Sequence, residues 1–226
     1  MSKGLEITKR IIYYLAGLFI IALGIGLSNK SNLGISPVSS IPKVLSTKFP
    51  DFSLGNMVLI VYCVLVLAQI IVLRKKFKPV NILGVPVALI FGMMVDLVGI
   101  KEYRLTIGGL IDLGIERKFK GLLMALPTPT NYIFKLIYLL VSIVVIGIGV
   151  YIYLKPNLVP MPAEGLAGAI STVSNKPFGN CKTFVDVGLI LTALILQLIL
   201  LGGLKSFTGD NVVVREGTVL SAICVG

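Results

Sequence analysis

The 226-residue sequence contains no histidine, no tryptophan and three cysteines, and it sets ten acidic side chains against 21 basic ones. Without histidine there is no His-based catalytic triad, no His general base and no His-ligated metal or haem site. Cys63, Cys181 and Cys224 stand far apart in apolar sequence. No close pair exists to clamp a metal or form a redox couple, and they are read as small hydrophobes. Walker loops, G-x-S-x-G elbows and paired catalytic carboxylates are also missing, so neither an enzyme nor a cofactor is expected. Charge is scarce: 14% of residues are Asp, Glu, Lys or Arg, where a soluble domain carries about a quarter.

Apolar sequence is what the chain has in excess, with 56% hydrophobic residues and a mean hydropathy of +0.97. That composition defines a polytopic membrane protein and excludes a soluble fold. A net charge of +11 would suggest nucleic acid in a soluble protein. Here the basic residues fall mostly between apolar runs, where they meet lipid headgroups and set topology, so no nucleic-acid partner is expected.

A hydrocarbon core of about 30 Å takes about 20 helical residues. Six stretches read as spans: residues 11–27, 54–73, 82–100, 132–154, 183–204 and 212–226. The last has fifteen residues, so either it crosses only a thin region or the chain is cut. Lys3, Lys9 and Arg10 precede the first run, but no A-x-A-like cleavage site follows, which favours a retained helix. In the polar stretch 101–131, Ile111, Ile115, Phe119, Leu122 and Leu126 fall on one helical stripe. This predicts an interfacial amphipathic connector closed by Pro127 and Pro129. Basic residues divide evenly between the two sides of a six-span topology; the dense, acid-free run at 74–78 favours a cytoplasmic N-terminus.

Shifting the sequence on itself by 125 residues aligns 18–47 with 143–172 without a gap and with eight identities. Lys30 matches Lys155, Asn32 matches Asn157, Leu33 matches Leu158, Pro37 matches Pro162, and Ser46-Thr47 matches Ser171-Thr172. Gly55-Asn56 and Gln69 find counterparts in Gly179-Asn180 and Gln197 with small shifts. The expected architecture is therefore an all-α membrane bundle of about six spans in two three-span repeats, 1–100 and 132–226. Three spans is an odd number, so the second copy lies inverted, as in many secondary transporters.

Each copy carries a proline-led segment after its first span. Pro37 and Pro162 suit the first turn of a helix, and the ten or so residues that follow rise about 15 Å, half the hydrocarbon thickness. Each is expected to dip into the membrane as a half-helix buried in protein. Inward-pointing N-termini at Ser36 and Met161 would favour an anionic group. The candidate substrate site takes Ser36, Pro37, Ser39 and Ser40 from the first segment, and Pro162, Glu164 and Gly165 from the second. Arg215, Glu216 and Thr218 join it from the REGT turn, where Arg215 offers a clamp for a carboxylate or phosphate. Glu164 and the intramembrane Asp96 are the candidates for proton or ion coupling. Asp186 follows Lys182 by four residues and reads as a helix-face ion pair, and Gln69 and Gln197 read as interhelical glue.

The chain resembles the YczE/YitT-like group of bacterial integral membrane proteins. The resemblance rests on SPVSSIP at 36–42, FP-x-x-SLG at 49–55, FG-x-x-x-D at 91–96, MP-x-EGL at 161–166, FG-x-x-K with a later Asp at 178–186, and VREGT at 214–218. It implies a bacterial cytoplasmic-membrane protein of about six helices and carries no substrate or reaction with it. The connector is longer than the family pattern, and the chain stops eight residues after Thr218.

Together these features point to a permease moving a small polar, anionic or vitamin-like metabolite by alternating access. Its expected partners are the lipid bilayer, a small-molecule substrate and, as an option, a second copy in a homodimer. The alternative is a non-transporting scaffold or regulatory subunit that binds a protein partner.

Overall fold

In lipid a long apolar run satisfies its backbone polar groups only by internal hydrogen bonding, which makes the α-helix its default. The computed structural model describes residues 3–77, 79–99, 102–103, 106–107, 111–112, 119–202 and 212–225. Eight α-helices lie among them: α1 (Lys3–Ser31), α2 (Pro37–Lys48), α3 (Leu54–Leu73), α4 (Gly84–Val98), α5 (Tyr132–Leu154), α6 (Pro162–Ser174), α7 (Phe178–Leu200) and α8 (Glu216–Val225). Five, namely α1, α3, α4 with its preceding turn, α5 and α7, are long and apolar enough to cross a membrane. The sixth expected span is the ten-residue α8, which rises about 15 Å and falls short of a bilayer.

Local chemistry explains the boundaries. Pro37 and Pro162 open α2 and α6, where a missing N–H leaves no bond broken. Ser53 caps α3, its hydroxyl accepting from the Asn56 N–H at 3.0 Å, as N-cap serines do. Just beyond α1 stands Asn32 with φ of 54°, and just beyond α5 stands Asn157 with φ of 50°. Asparagine tolerates this left-handed geometry, which ends a helix and turns the chain. The two turns occupy positions 125 residues apart.

The most extensive helix pairing is the seam between α1 and α5. Contacts run in opposite order along the two helices, Gly17 against Tyr153, Ile21 against Gly149 and Gly24 against Ile146, so the helices are antiparallel. The contacts are also reciprocal. Gly24 receives Ile146 as Gly149 receives Ile21, and a Cβ on either glycine would lie 3.1 Å from a carbonyl of the facing helix, that of Ser142 or Gly17. Small residues of this kind let helix backbones approach closely in a membrane.

The two short helices cross between the halves. Proline-led α2 packs on α7 as well as on its neighbour α3, and α6 packs on α3 as well as on α7. Gln69 donates through Nε2 to the Pro162 carbonyl at 2.9 Å, tying α3 to α6. Gln197 Oε1 accepts from the Val213 and Val214 N–H groups at 3.1 and 3.0 Å, tying α7 to the strand of chain before α8. Both glutamines are buried and bonded across elements, as expected of groups that have no water to turn to.

The connector departs from expectation. Its described residues form two antiparallel pairs of two-residue strands, Glu102–Tyr103 with Phe119–Lys120 and Thr106–Ile107 with Ile111–Asp112, followed by a 3₁₀ turn at Leu122–Ala125. The amphipathic helix is thus absent where it is described; Ile115 and the rest of 113–118 lie outside the described residues. Glycines at 108, 109, 114 and 121 weaken a helix by about 1 kcal/mol each, and Thr106, Ile107 and Ile111 favour extended backbone. The turn is nonetheless anchored: the Lys30 ammonium at the end of α1 donates to the Leu123 carbonyl at 2.6 Å and to the Leu126 carbonyl.

Candidate functional site

The N-termini of α2 and α6 meet at a cavity of about 50 Å³ beside the α1–α5 seam, room for about three waters or one small polar head group. Ile21 and Ile25 of α1 and Ile146 and Val150 of α5 form its apolar walls. Its polar lining comes from Ser36 and Ser39 at the start of α2, Glu164 at the start of α6, Lys182 and Asp186 on α7, and Ser221 on α8; Tyr62 of α3 adds an aromatic face. Many of these positions correspond across the 125-residue shift: Ile21 with Ile146, Ile25 with Val150, Ser36 with Met161, and Ser39 with Glu164.

Glu164 and Asp186 dominate the chemistry. Asp186 Oδ2 accepts from the Lys182 ammonium at 2.9 Å, the i, i+4 pair expected from spacing. Its other oxygen, Oδ1, and Glu164 Oε2 are buried without a hydrogen-bond partner. Lys182 is the single cation among the lining residues and faces two carboxylates. The phenols of Tyr14, Tyr62 and Tyr153 lie within reach of the Glu164 charge. Tyr14 spends its hydroxyl proton on the Val159 carbonyl at 2.7 Å, while the Tyr153 hydroxyl is buried without a partner. Pro42 cannot donate to the Val38 carbonyl, and Val38 also lies on the cavity wall.

Of the ten residues expected to bind substrate, Ser36, Pro37, Ser39 and Glu164 line the cavity. The others stand apart from it for identifiable reasons. The Ser40 hydroxyl donates back to the Pro37 carbonyl within α2. The Pro162 carbonyl is taken by Gln69, and Gly165 makes room for the same side chain, since a Cβ there would lie 2.8 Å from Gln69 Oε1.

Arg215 and Thr218 hold the loop that leads into α2. The Arg215 guanidinium donates to the Asn32 carbonyl at 3.1 Å, Thr218 Oγ1 accepts from the Ile35 N–H at 3.2 Å, and the Gly217 N–H donates to the Leu33 carbonyl at 2.9 Å. Glu216 is half exposed, with a carboxylate oxygen 3.7 Å from Arg215 Nε. The REGT turn is therefore a positioning clamp for Ser36, and no part of it lines the cavity.

Asp96 lies outside the cavity lining and accepts from the Gly55 N–H at 2.7 Å and the Ser53 hydroxyl at the N-terminus of α3. A carboxylate at that end complements the helix dipole. No group of three or more His, Cys, Asp or Glu side chains suited to a metal occurs among the described residues.

Sequence reasoning missed the convergence of Tyr62, Lys182, Asp186 and Ser221 on the site. One signal was present: the Gly55-Asn56 and Gly179-Asn180 match brings Tyr62 and Asp186 to corresponding positions.

Five helices long and apolar enough to cross a membrane define the protein as a polytopic helical membrane protein. The chain belongs to DUF6198, a family of unknown function, whose sequence pattern matches residues 8–226. It is also similar to the uncharacterized protein YyaS of Bacillus subtilis (strain 168), with 27% identity over 186 residues that cover 82% of this chain and 80% of that protein. No solved structure matches.

Proposed function

We propose that the protein is a secondary transporter that carries a small polar solute through the α2–α6 cavity by alternating access. One observation carries this reading: two proline-led short helices, at positions 125 residues apart, bring their N-termini to one buried cavity whose carboxylates lack partners. Discontinuous helices with buried N-termini are how many transporters build a binding site from inverted repeats. The antiparallel, reciprocal α1–α5 seam and the crossed packing of α2 on α7 and α6 on α3 support a two-fold duplication of this kind. The motifs that carry the resemblance to the YczE/YitT-like proteins include Ser36, Pro37, Ser39 and Glu164, which line the cavity. The host membrane in this reading is a bacterial cytoplasmic membrane with the N-terminus inside, consistent with the acid-free basic run at 74–78.

The cavity also narrows the solute. Helix N-termini alone favour an anion, but two carboxylates against one ammonium reverse that preference, and a volume of about 50 Å³ admits a head group rather than a whole vitamin. Thermal unfolding of the detergent-purified protein against a panel of small polar solutes tests the reading. A ligand at about 100 times its dissociation constant adds about 2.7 kcal/mol of stability. The expected result is a solute that stabilises the wild type, leaves Glu164→Gln unmoved and is taken up by proteoliposomes. Binding without uptake would replace transport with a sensing or scaffold role.

A further inference from the structure

Among the described lining residues, the buried side-chain atoms left without a hydrogen-bond partner are two carboxylate oxygens. Glu164 retains 8% of its surface and Asp186 4%, and each keeps one carboxylate oxygen without a hydrogen-bond partner; the Tyr153 hydroxyl, also unpartnered, lies near Glu164. Among the described residues, the polar groups on the surrounding helices are engaged as follows. Ser36 and Ser39 of α2 are paired weakly with each other, hydroxyl to hydroxyl, at 3.4 Å. Tyr14 of α1 donates to Val159. Tyr62 of α3, Tyr153 of α5 and Ser221 of α8 are neutral, and Lys182 of α7 is committed to Asp186 Oδ2. With Glu164, Asp186 and Lys182 ionised, the lining carries one negative charge in excess. An uncompensated charge in such a place costs several kcal/mol and is neutralised by a proton or a counter-charge.

We propose that the cavity holds one positive charge at a time: either a proton on Glu164, or the N–H-bearing head of a small monocation bridging Glu164 Oε2 and Asp186 Oδ1. When the cation enters, the Glu164 proton leaves to solvent, and charge in the cavity is conserved. N–H donors match the two orphaned acceptors as charge-assisted hydrogen bonds, the Tyr62 ring offers a cation-binding face, and the isoleucine and valine walls suit a short alkyl tail. The inference deepens the transport reading and rests on it only for movement across the bilayer, where it specifies cation-for-proton exchange.

The test uses the purified full chain in weakly buffered detergent, with guanidinium at millimolar concentration as the probe because it cannot cross or bind as a free base. Methylammonium is a second N–H cation, and tetramethylammonium and sodium are cations without N–H donors. The expected result is that guanidinium and methylammonium raise the unfolding midpoint and release up to one proton per chain, while the other two do so weakly or not at all. Because proton and cation compete, the wild-type affinity for guanidinium weakens up to tenfold per unit fall in pH, a measurement that needs no variant. Glu164→Gln abolishes proton release, and Asp186→Asn, which leaves Glu164 balanced by Lys182, weakens cation binding and lowers proton release together.

A pH-independent affinity, release that persists in Glu164→Gln, or preference for sodium over guanidinium overturns the proposal. So does stabilisation by a neutral or anionic solute with no response to any N–H cation, an outcome that leaves transport standing. Proton release in detergent with no guanidinium-driven proton flux in proteoliposomes upholds the site and removes transport instead.

Discussion

Replacing Gly17 by alanine places a methyl group against the backbone of the facing helix. The new Cβ would lie 2.5 Å from Tyr153 N and 2.7 Å from Tyr153 Cα, where unstrained contacts sit at about 3.5–4.0 Å. Backbone atoms cannot rotate away as a side chain would, so α1 and α5 must part by about 1 Å. A gap of that size forfeits about a quarter to a half of the dispersion attraction at each contact along the seam, and overpacking of this kind costs about 1–3 kcal/mol. Alanine returns about 1 kcal/mol through its better helix propensity. The net expectation is a loss of up to about 2 kcal/mol.

Gly147 supplies the control: it lies on α5 but has nothing within 4 Å of its built Cβ, so Gly147→Ala should be neutral or slightly stabilising. Denaturant or thermal unfolding of both variants in one detergent gives the comparison. A Gly17→Ala midpoint above wild type, or equal shifts for the two variants, would refute the close antiparallel seam.

Other consequences follow from the same packing. Lys182→Met leaves Asp186 and Glu164 buried with no lining cation and should cost about 3 kcal/mol; adding Asp186→Asn should restore most of it, as read by the unfolding midpoint. Asp96→Asn removes the charge that holds the Gly55 N–H and Ser53 hydroxyl and should cost about 1–2 kcal/mol, with the pH dependence of ligand binding unchanged. A shift in that dependence would return Asp96 to the coupling machinery. Arg215→Ala frees the Asn32 carbonyl at a half-exposed site and should cost about 1 kcal/mol. Its solute affinity should fall through loosening of the Ser36 loop, and extra salt or a soluble guanidinium compound should not rescue it.

Much of the fold was legible because bilayer physics writes itself into composition. The spans at 54–73 and 132–154 coincide with α3 and α5, and the proline-led segments with α2 and α6. The connector misled because a stripe of apolar residues shows which side chains share a face, while its glycines and β-branched residues decide whether a helix forms at all. The C-terminal run was apolar enough for a span, but the clamp at Arg215, Gly217 and Thr218 uses up its first residues.

At the site, local sequence identified groups whose chemistry is set within their own turn, such as Glu164 at the start of α6 and the Lys182–Asp186 pair. It could not show the partners that come from far along the chain. Arg215 read as a clamp for an anion and Asp96 as a coupling site, and the structure adds the Asn32 carbonyl and the Gly55 amide beside them, 183 and 41 residues away.

The account turns on whether the cavity faces each side of the membrane in turn. Replacing Cys63, Cys181 and Cys224 by alanine or serine and then introducing Ser39→Cys would place a single thiol on the cavity wall. Membrane-impermeant thiol reagents applied to right-side-out and inside-out vesicles should label that thiol from both sides, with labelling slowed by a bound solute. Labelling from one side alone, unaffected by solute, would contradict transport through this site.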